Sequence, residues 1–356
     1  MSSSDRGNMQ GSSNVAVFGA YSNGNFGDDL MGHLIASSLA GAGYTPRLWR
    51  GPNNAFRGKT WTTYSDMERF VSGSACVVFG GGMVFGDSRF SAYWADISKL
   101  VDVCEALRVP IVAISVSSNG VYDNLNAAAK KLLASPMFKA ATPRLMCDAD
   151  WLKKQGMHVA YIPDIVLTAM AYKPKVEMKR VMIAVHSRPW ERPLLDWVVS
   201  KLLSRGIEVL TIGPLQDGTS NVDSYYHRLG TKVRNDGPSS VLDAVRDVDV
   251  LIGSGLHIGM AALAGGAEFI SYRGEGKTHH FMEECGRRRL VIKATRKLEK
   301  LFCFYRLHRL LLGPVDGGGH DTLQDMMAQA HQHYRFMLDQ IEQVDLSSNG
   351  KPPERG

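Results

Sequence analysis

Val248-Asp249-Val250-Leu251-Ile252-Gly253 runs into Ser254-Gly255-Leu256-His257, and Ile258-Gly259-Met260-Ala261-Ala262-Leu263-Ala264 follows. An apolar run, a tight turn and a small-residue helical stretch read as strand, turn and helix N-terminus. The turn sets one histidine where a helix presents unpaired N–H groups and the positive end of its dipole. Such a place suits an anionic ligand. A second turn of this kind follows Asn14-Val15-Ala16-Val17-Phe18-Gly19, with Asn23-Gly24-Asn25-Phe26-Gly27 leading into a helix from Asp28. Two strand–turn–helix sites predict two α/β halves with a cleft between them.

The rhythm of the remaining chain agrees. Thr45–Trp49 follows the first unit, Ala75–Phe79 and Ile111–Val116 are apolar segments, and a helical stretch runs over Tyr93–Leu107. Near-continuous apolar strands separated by helices predict parallel sheets covered on both faces. Lys173-Pro174-Lys175 reads as a linker, and the pattern restarts at Val181–Val185. It continues with a helix near Pro193–Leu203, strands at Glu208–Ile212 and Glu268–Tyr272, and a helix near Lys277–Cys285. The expected organisation is a polar tail over 1–13, one α/β domain over 14–172 and a second over 178–320. A helix over 321–346 and a tail over 347–356 complete it.

Composition removes several classes. With 44% hydrophobic and 21% charged residues, the 356-residue chain has the profile of a folded globular protein. Five scattered cysteines show no C-x-x-C spacing, which argues against a zinc site or disulfide framework and fits a reducing compartment. No apolar run approaches the ~18 residues of a membrane span. Met1–Ser13 lacks the apolar stretch of a signal peptide. P-loop, G-x-S-x-G and H-E-x-x-H patterns are absent, so ATPase and common hydrolase readings lose their support.

The net charge is +6, which fits an anionic substrate or surface. Lys293, Arg296, Lys297, Lys300, Arg306 and Arg309 interleave with Leu298, Leu301, Phe302 and Leu310. This segment, Lys293–Arg309, reads as a basic amphipathic helix suited to a membrane surface or a partner. No nucleic-acid motif accompanies it, and nucleic acid is not expected as a partner.

Each candidate site has a structural reading beside a functional one. Asn25 and Asp28 can bond an acceptor substrate, or Asp28 can simply cap its helix. Gly80-Gly81-Gly82 ends a buried strand and bares backbone where α/β sheets bind ligands, unless it is only a packing turn. Arg188 in His186-Ser187-Arg188 follows a strand end, where its planar fork can grip a carboxylate or phosphate. Arg273 and Lys277 lie in a polar loop entering a helix. His257 either caps its own helix or moves protons.

In this order the motifs resemble those of the polysaccharide pyruvyl transferase family. The residues that carry the likeness are N-x-G-D at Asn25–Asp28, the glycine triplet at Gly80–Gly82, Ile162-Pro163-Asp164-Ile165, Ser254-Gly255-Leu256-His257 and Tyr272…Lys277…Phe281-Met282. The resemblance covers about 14–290. It implies two Rossmann-like domains like those of B-type glycosyltransferases, with a C-terminal helix packing back on the first. It implies transfer of pyruvyl from phosphoenolpyruvate to sugar hydroxyls of an exopolysaccharide or its lipid-linked precursor, in the cytoplasm or at the inner face of the membrane. No cofactor or metal is needed. His257 would then be catalytic. Arg188, Ser254, Gly255, Leu256, Arg273 and Lys277 would face the donor, and Asn25, Asp28, Gly81 and Gly82 the acceptor. The family carries an arginine where this chain has Gly255. Either other cations compensate, or the donor is a nucleotide sugar as in a B-type glycosyltransferase, or the chain only binds glycans.

Overall fold

Every strand of both sheets is parallel to its neighbours. The computed structural model describes residues 14–21, 25–49, 63–82, 91–118, 122, 125–175, 177–185, 192–213, 230–274, 276–292, 306–307, 309 and 318–349. The tail expected over 1–13, the end of the chain after 349, Arg188 and most of the Lys293–Arg309 segment lie outside them. Two compact units form. One comprises 1–22, 32–162 and 332–356, and the other 23–31 and 163–331.

In the first unit, β1 (Asn14–Phe18), β2 (Thr45–Leu48), β3 (Cys76–Gly80), β4 (Ile111–Val116), β5 (Phe138–Pro143) and β6 (His158–Val159) stand in the order β2-β1-β3-β4-β5-β6. The order reverses between β1 and β3, which places the turns after these two strands at the crevice of the sheet. The helices between them are α1 (Phe26–Gly41), α2 (Tyr64–Val71), α3 (Ser91–Leu107), α4 (Ala127–Ala134) and α5 (Met146–Lys154). Sequence places α2 through a capping box: Asp66 N–H donates to Thr63 Oγ1, and Thr63 N–H donates to Asp66 Oδ2, each at 3.1 Å. Phe18 stacks on Trp49 at 5.8 Å, and Trp49 lies 4.8 Å from Phe70, so aromatic rings fill the core under β1.

Ser115 interrupts β4 with φ of 56°, and the β4–β5 register shifts beside it. Its N–H donates to Thr142 Oγ1 at 3.1 Å. Thr142 Oγ1 also lies 2.9 Å from Nδ1 of the fully buried His333 and 3.5 Å from the Ala113 carbonyl oxygen. His333 belongs to α11 (Gln332–Asn349), whose Met337 and Ile341 are fully buried. The C-terminal helix thus packs on the first sheet, against β3 and β4.

The helix expected over 321–346 is two helices. α10 (His320–Ala330) buries Leu323, Met326 and Ala330 and packs on a 3₁₀ turn at Ile165–Thr168 in the second unit, whereas α11 belongs to the first. Two apolar faces with different partners account for the break at His331.

In the second unit, β7 (Arg180–Ala184), β8 (Glu208–Ile212), β9 (Thr231–Val233), β10 (Val250–Gly253), β11 (Glu268–Tyr272) and β12 (Val291–Ile292) stand in the order β12-β11-β10-β7-β8-β9. This is the Rossmann order, with its reversal between β7 and β10. The helices are α6 (Arg192–Leu203), α7 (Pro238–Arg246), α8 (Leu256–Ala264), α9 (Gly276–Glu284) and α10. Lys173-Pro174-Lys175, expected as a linker, lies inside this unit. A side chain on Gly266, at φ of 89°, would come within 1.9 Å of the Lys173 carbonyl oxygen. One on Gly265 would come within 2.9 Å of Met170 Cε. The end of α8 therefore packs closely on residues 170–173.

Candidate active site

The reversal between β7 and β10 builds the site. Gly253 pairs with Ala184 across the two strands, and Ser254 N–H donates to the Ala184 carbonyl at 3.2 Å. The chain then turns at Gly255, the N-cap of α8, which has no side-chain capping bond. A helix N-terminus of this kind presents N–H groups and the positive end of its dipole. Gly259 brings α8 onto the sheet, because a Cβ there would lie 2.2 Å from the Phe269 ring. Only glycine allows that approach.

His257 follows in the first turn of α8 and is 8% exposed. Its Nε2 lies 3.8 Å from Oδ2 of Asp164, which is 2% exposed. The other oxygen, Asp164 Oδ1, accepts from Val166 N–H at 3.0 Å, capping the 3₁₀ turn that packs on α8. The carboxylate is thus held rigidly. At 3.8 Å it faces the ring edge as a negative charge.

The opposite edge of the ring meets Gly27. A Cβ on Gly27 would lie 1.8 Å from His257 Nδ1 and 2.3 Å from Cγ. The start of α1 is therefore pressed against the histidine, 230 positions away in sequence. Residues 23–31 belong to the second unit for this reason. Asn25 caps α1: its side-chain oxygen accepts from Gly27 N–H at 3.0 Å, and its carbonyl accepts from Asp29 N–H at 3.1 Å. The cap expected at Asp28 is one helical turn too late, because the helix opens at Phe26 and Asp28 sits half-buried in its first turn. Two helix N-termini, those of α1 and α8, meet around His257.

Gly255 needs no glycine for its backbone. Its φ of −82° and ψ of 132° suit any residue, and a Cβ there would meet only Ile258 Cγ2, at 3.3 Å. A Cβ at this position therefore asks only a small shift of Ile258.

One strand over, Ser271 of β11 pairs with Gly253 of β10. The bend after β11 accordingly emerges at the same sheet edge as the Ser254 turn. Arg273 makes the bend at φ of 56°, which side chains rarely adopt, and its N–H donates to the Ile292 carbonyl at 3.0 Å. Lys277 is the second residue of α9 and is half-buried.

Gly81 and Gly82 belong to the first unit. Both are buried, with φ of 70° and 80°. Gly81 N–H donates to the Ile114 carbonyl at 2.8 Å, and the Gly82 carbonyl accepts from Ser117 N–H at 3.2 Å. Tyr21 braces this turn, its hydroxyl donating to the Gly80 carbonyl at 2.9 Å. Among the sequence candidates, then, Asn25, Asp28, Gly255 and His257 gather in the second unit, while Gly81 and Gly82 form a separate turn in the first.

Sequence reasoning missed Asp164 as a partner of His257 and Gly27 as the surface under its ring. The signal for Asp164 was present in Ile162-Pro163-Asp164-Ile165. Among the described residues, no group of three or more His, Cys, Asp and Glu side chains is placed to hold a metal ion. No helix among them is long and apolar enough to cross a membrane.

Comparison with solved structures places the fold. UDP-GlcNAc 2-epimerase from Neisseria meningitidis, bound to UDP-GlcNAc, matches with a TM-score of 0.59 at 10% identity, over 93% of this chain and 99% of that one. The S. aureus MnaA–UDP co-structure matches with 0.58 at 11%, over 96% and 100%. A ugt transferase from Siraitia grosvenorii in complex with UDP matches with 0.55 at 11%, over 92% and 100%. The architecture is that of two Rossmann-like sheets, as in B-type glycosyltransferases. No curated protein sequence matches the chain. A family model described as polysaccharide pyruvyl transferase matches residues 25–275, more than half of its length.

Proposed function

The chain belongs to the polysaccharide pyruvyl transferase family, and we propose that it forms a pyruvate ketal on a glycan, with phosphoenolpyruvate as donor. The acceptor in this reading is a sugar diol of an exopolysaccharide or of its lipid-linked precursor. The observation that carries the proposal is His257, held at the N-terminus of α8 between the Asp164 carboxylate and Gly27.

The chemistry needs one proton delivered to the methylene carbon of phosphoenolpyruvate. A sugar hydroxyl then forms a C–O bond at C2 and loses its proton. The second hydroxyl forms another C–O bond at C2 and gives up its proton while the C–O bond to phosphate breaks; phosphate leaves with the bonding electrons and takes up that proton. His257 is the group assigned to deliver and recover protons, a role that typically contributes ~10²–10⁴-fold. Asp164 is a positioning residue that holds the ring.

The donor carries a phosphate and a carboxylate. Ser254, Gly255 and Leu256 offer backbone at the start of α8, and Arg188, Arg273 and Lys277 supply the positive charge that position 255 does not. Asn25 and Asp28, at the start of α1, and Gly81 and Gly82 are assigned to the acceptor. The basic segment Lys293–Arg309 is assigned to an anionic membrane surface at the cytoplasmic face. Arg306 of this segment donates to the Arg289 carbonyl at 2.7 Å, next to the Arg287-Arg288-Arg289 run. Salt-sensitive flotation with anionic vesicles supports that contact, and its absence removes it.

A nucleotide-sugar donor is the second reading, favoured by Gly255 and by the UDP in the similar structures. Thermal unfolding separates the two. A ligand that binds only the folded state raises the melting temperature. A rise with phosphoenolpyruvate and none with UDP-sugars supports the proposal, and the reverse replaces it.

A further inference from the structure

Two buried hydroxyls stand at the bend between β11 and α9. Ser271 is fully buried and Thr278 is 1% exposed, and among the described residues neither Ser271 Oγ nor Thr278 Oγ1 has a hydrogen-bond partner. Buried polar atoms are nearly always paired, so two orphans at one bend call for an explanation. Gly274 lies between them. A Cβ on Gly274 would meet Ser271 Oγ at 2.6 Å and the Cβ and Cγ2 of Thr278 at 2.8 Å. Ser271 Oγ is therefore aimed at the short stretch that leads into the nine-residue helix α9, and Thr278 stands in that helix's first turn.

The setting selects a ligand. The bend lies at the C-terminal edge of a parallel sheet, where α/β folds bind their ligands. The start of α9 presents N–H groups and the positive end of its dipole. Arg273 and Lys277 flank it. Hydroxyl and amide donors backed by two cations suit a group with several anionic oxygens.

We propose that the β11–α9 bend is a phosphoryl subsite, with the hydroxyls of Ser271 and Thr278 as its inner donors. The subsite rests on the reading of this unit as the donor side, and it deepens that reading by naming where the phosphate sits. A phosphoryl group there comes either from phosphoenolpyruvate or from a nucleoside diphosphate.

The test is calorimetric titration of the full chain and its variants with inorganic phosphate, phosphoenolpyruvate and UDP. Ser271→Ala and Thr278→Val remove hydroxyls that have no partner to lose, so the unliganded variants should unfold at or above the wild-type temperature. Each should weaken inorganic phosphate and phosphoenolpyruvate roughly 10–100-fold, the scale of one charge-assisted hydrogen bond. Thr278→Ser keeps the hydroxyl and should keep the affinity, which holds the test if a larger change disturbs folding. Weakening of inorganic phosphate and UDP with phosphoenolpyruvate unaffected would uphold the phosphoryl subsite while overturning phosphoenolpyruvate as the donor. Weakening of phosphoenolpyruvate with inorganic phosphate unaffected would mean that a carboxylate sits there, and would overturn the subsite. Affinities within twofold of wild type for all three ligands would overturn it as well.

Discussion

Gly27→Ala isolates the contact between α1 and His257. The backbone of Gly27 is outside the left-handed region, so alanine meets no φ penalty. In a helix, alanine is favoured over glycine by roughly 0.5–1 kcal/mol. Against that gain stands the collision of the new Cβ with Nδ1, Cγ and Cβ of His257 at 1.8, 2.3 and 2.7 Å. Overpacking of this kind typically costs about 1–3 kcal/mol. The two terms leave a net loss of roughly 0–2.5 kcal/mol, so the protein should still fold. The ring is 8% exposed and bounded by Asp164 on the other edge, and it cannot stay in place. Transfer should therefore fall by about 10²–10⁴-fold, as if the histidine were removed. Gly41→Ala is the control. It is the last residue of the same helix, and a Cβ there meets nothing within 4 Å. It should leave transfer unchanged and stability equal or slightly higher. The assay is phosphate release from phosphoenolpyruvate with a panel of saccharide acceptors, beside thermal unfolding. Turnover of Gly27→Ala within threefold of wild type, with unchanged stability, would refute the placement of the ring against α1.

Asp164→Asn removes the charge facing Nε2 but keeps the cap on Val166; kcat should fall while the donor KM holds. An unchanged kcat would mean that Asp164 serves only its 3₁₀ turn. Gly255→Arg should fold normally, since the backbone there is extended and the new Cβ meets only Ile258 Cγ2, at 3.3 Å; its stability should stay within about 0.5 kcal/mol of wild type, and phosphoenolpyruvate should bind more tightly. A large loss of stability would show that position 255 is closed. Burial pushes the Cys285 thiol up to about 12 and raises Cys104 as well, while Cys147 is exposed. Thiolate is the reactive form, so brief alkylation near neutral pH followed by peptide mass spectrometry should modify Cys147 and spare Cys104 and Cys285.

Much of the fold was legible because its strands are long and apolar. Ile111–Val116 and Glu268–Tyr272 coincide with β4 and β11, and the helix after the Ser254 turn begins at Leu256 as the pattern indicates. The edge strands β6, β9 and β12 have two or three residues, too few to show a period. The strand β5 ends in proline and carries Lys139, which hides it among turn signals. In the site, His257 stood out through its turn. Its two neighbours did not, because Gly27 and Asp164 reach it by tertiary packing across 230 and 93 positions, and no local pattern encodes such a meeting. The pairing of α10 and α11 with different units was hidden for the same reason, since one helical period runs through both.

The most direct measurement follows both products of one incubation. Wild-type protein with phosphoenolpyruvate and a glycan acceptor should release phosphate in step with an acid-labile pyruvyl ketal on the glycan. His257→Ala should do so about 10²–10⁴-fold more slowly while binding phosphoenolpyruvate as wild type does. Release of UDP from a sugar nucleotide in place of phosphate, or ketal formation by His257→Ala within threefold of wild type, would contradict the account.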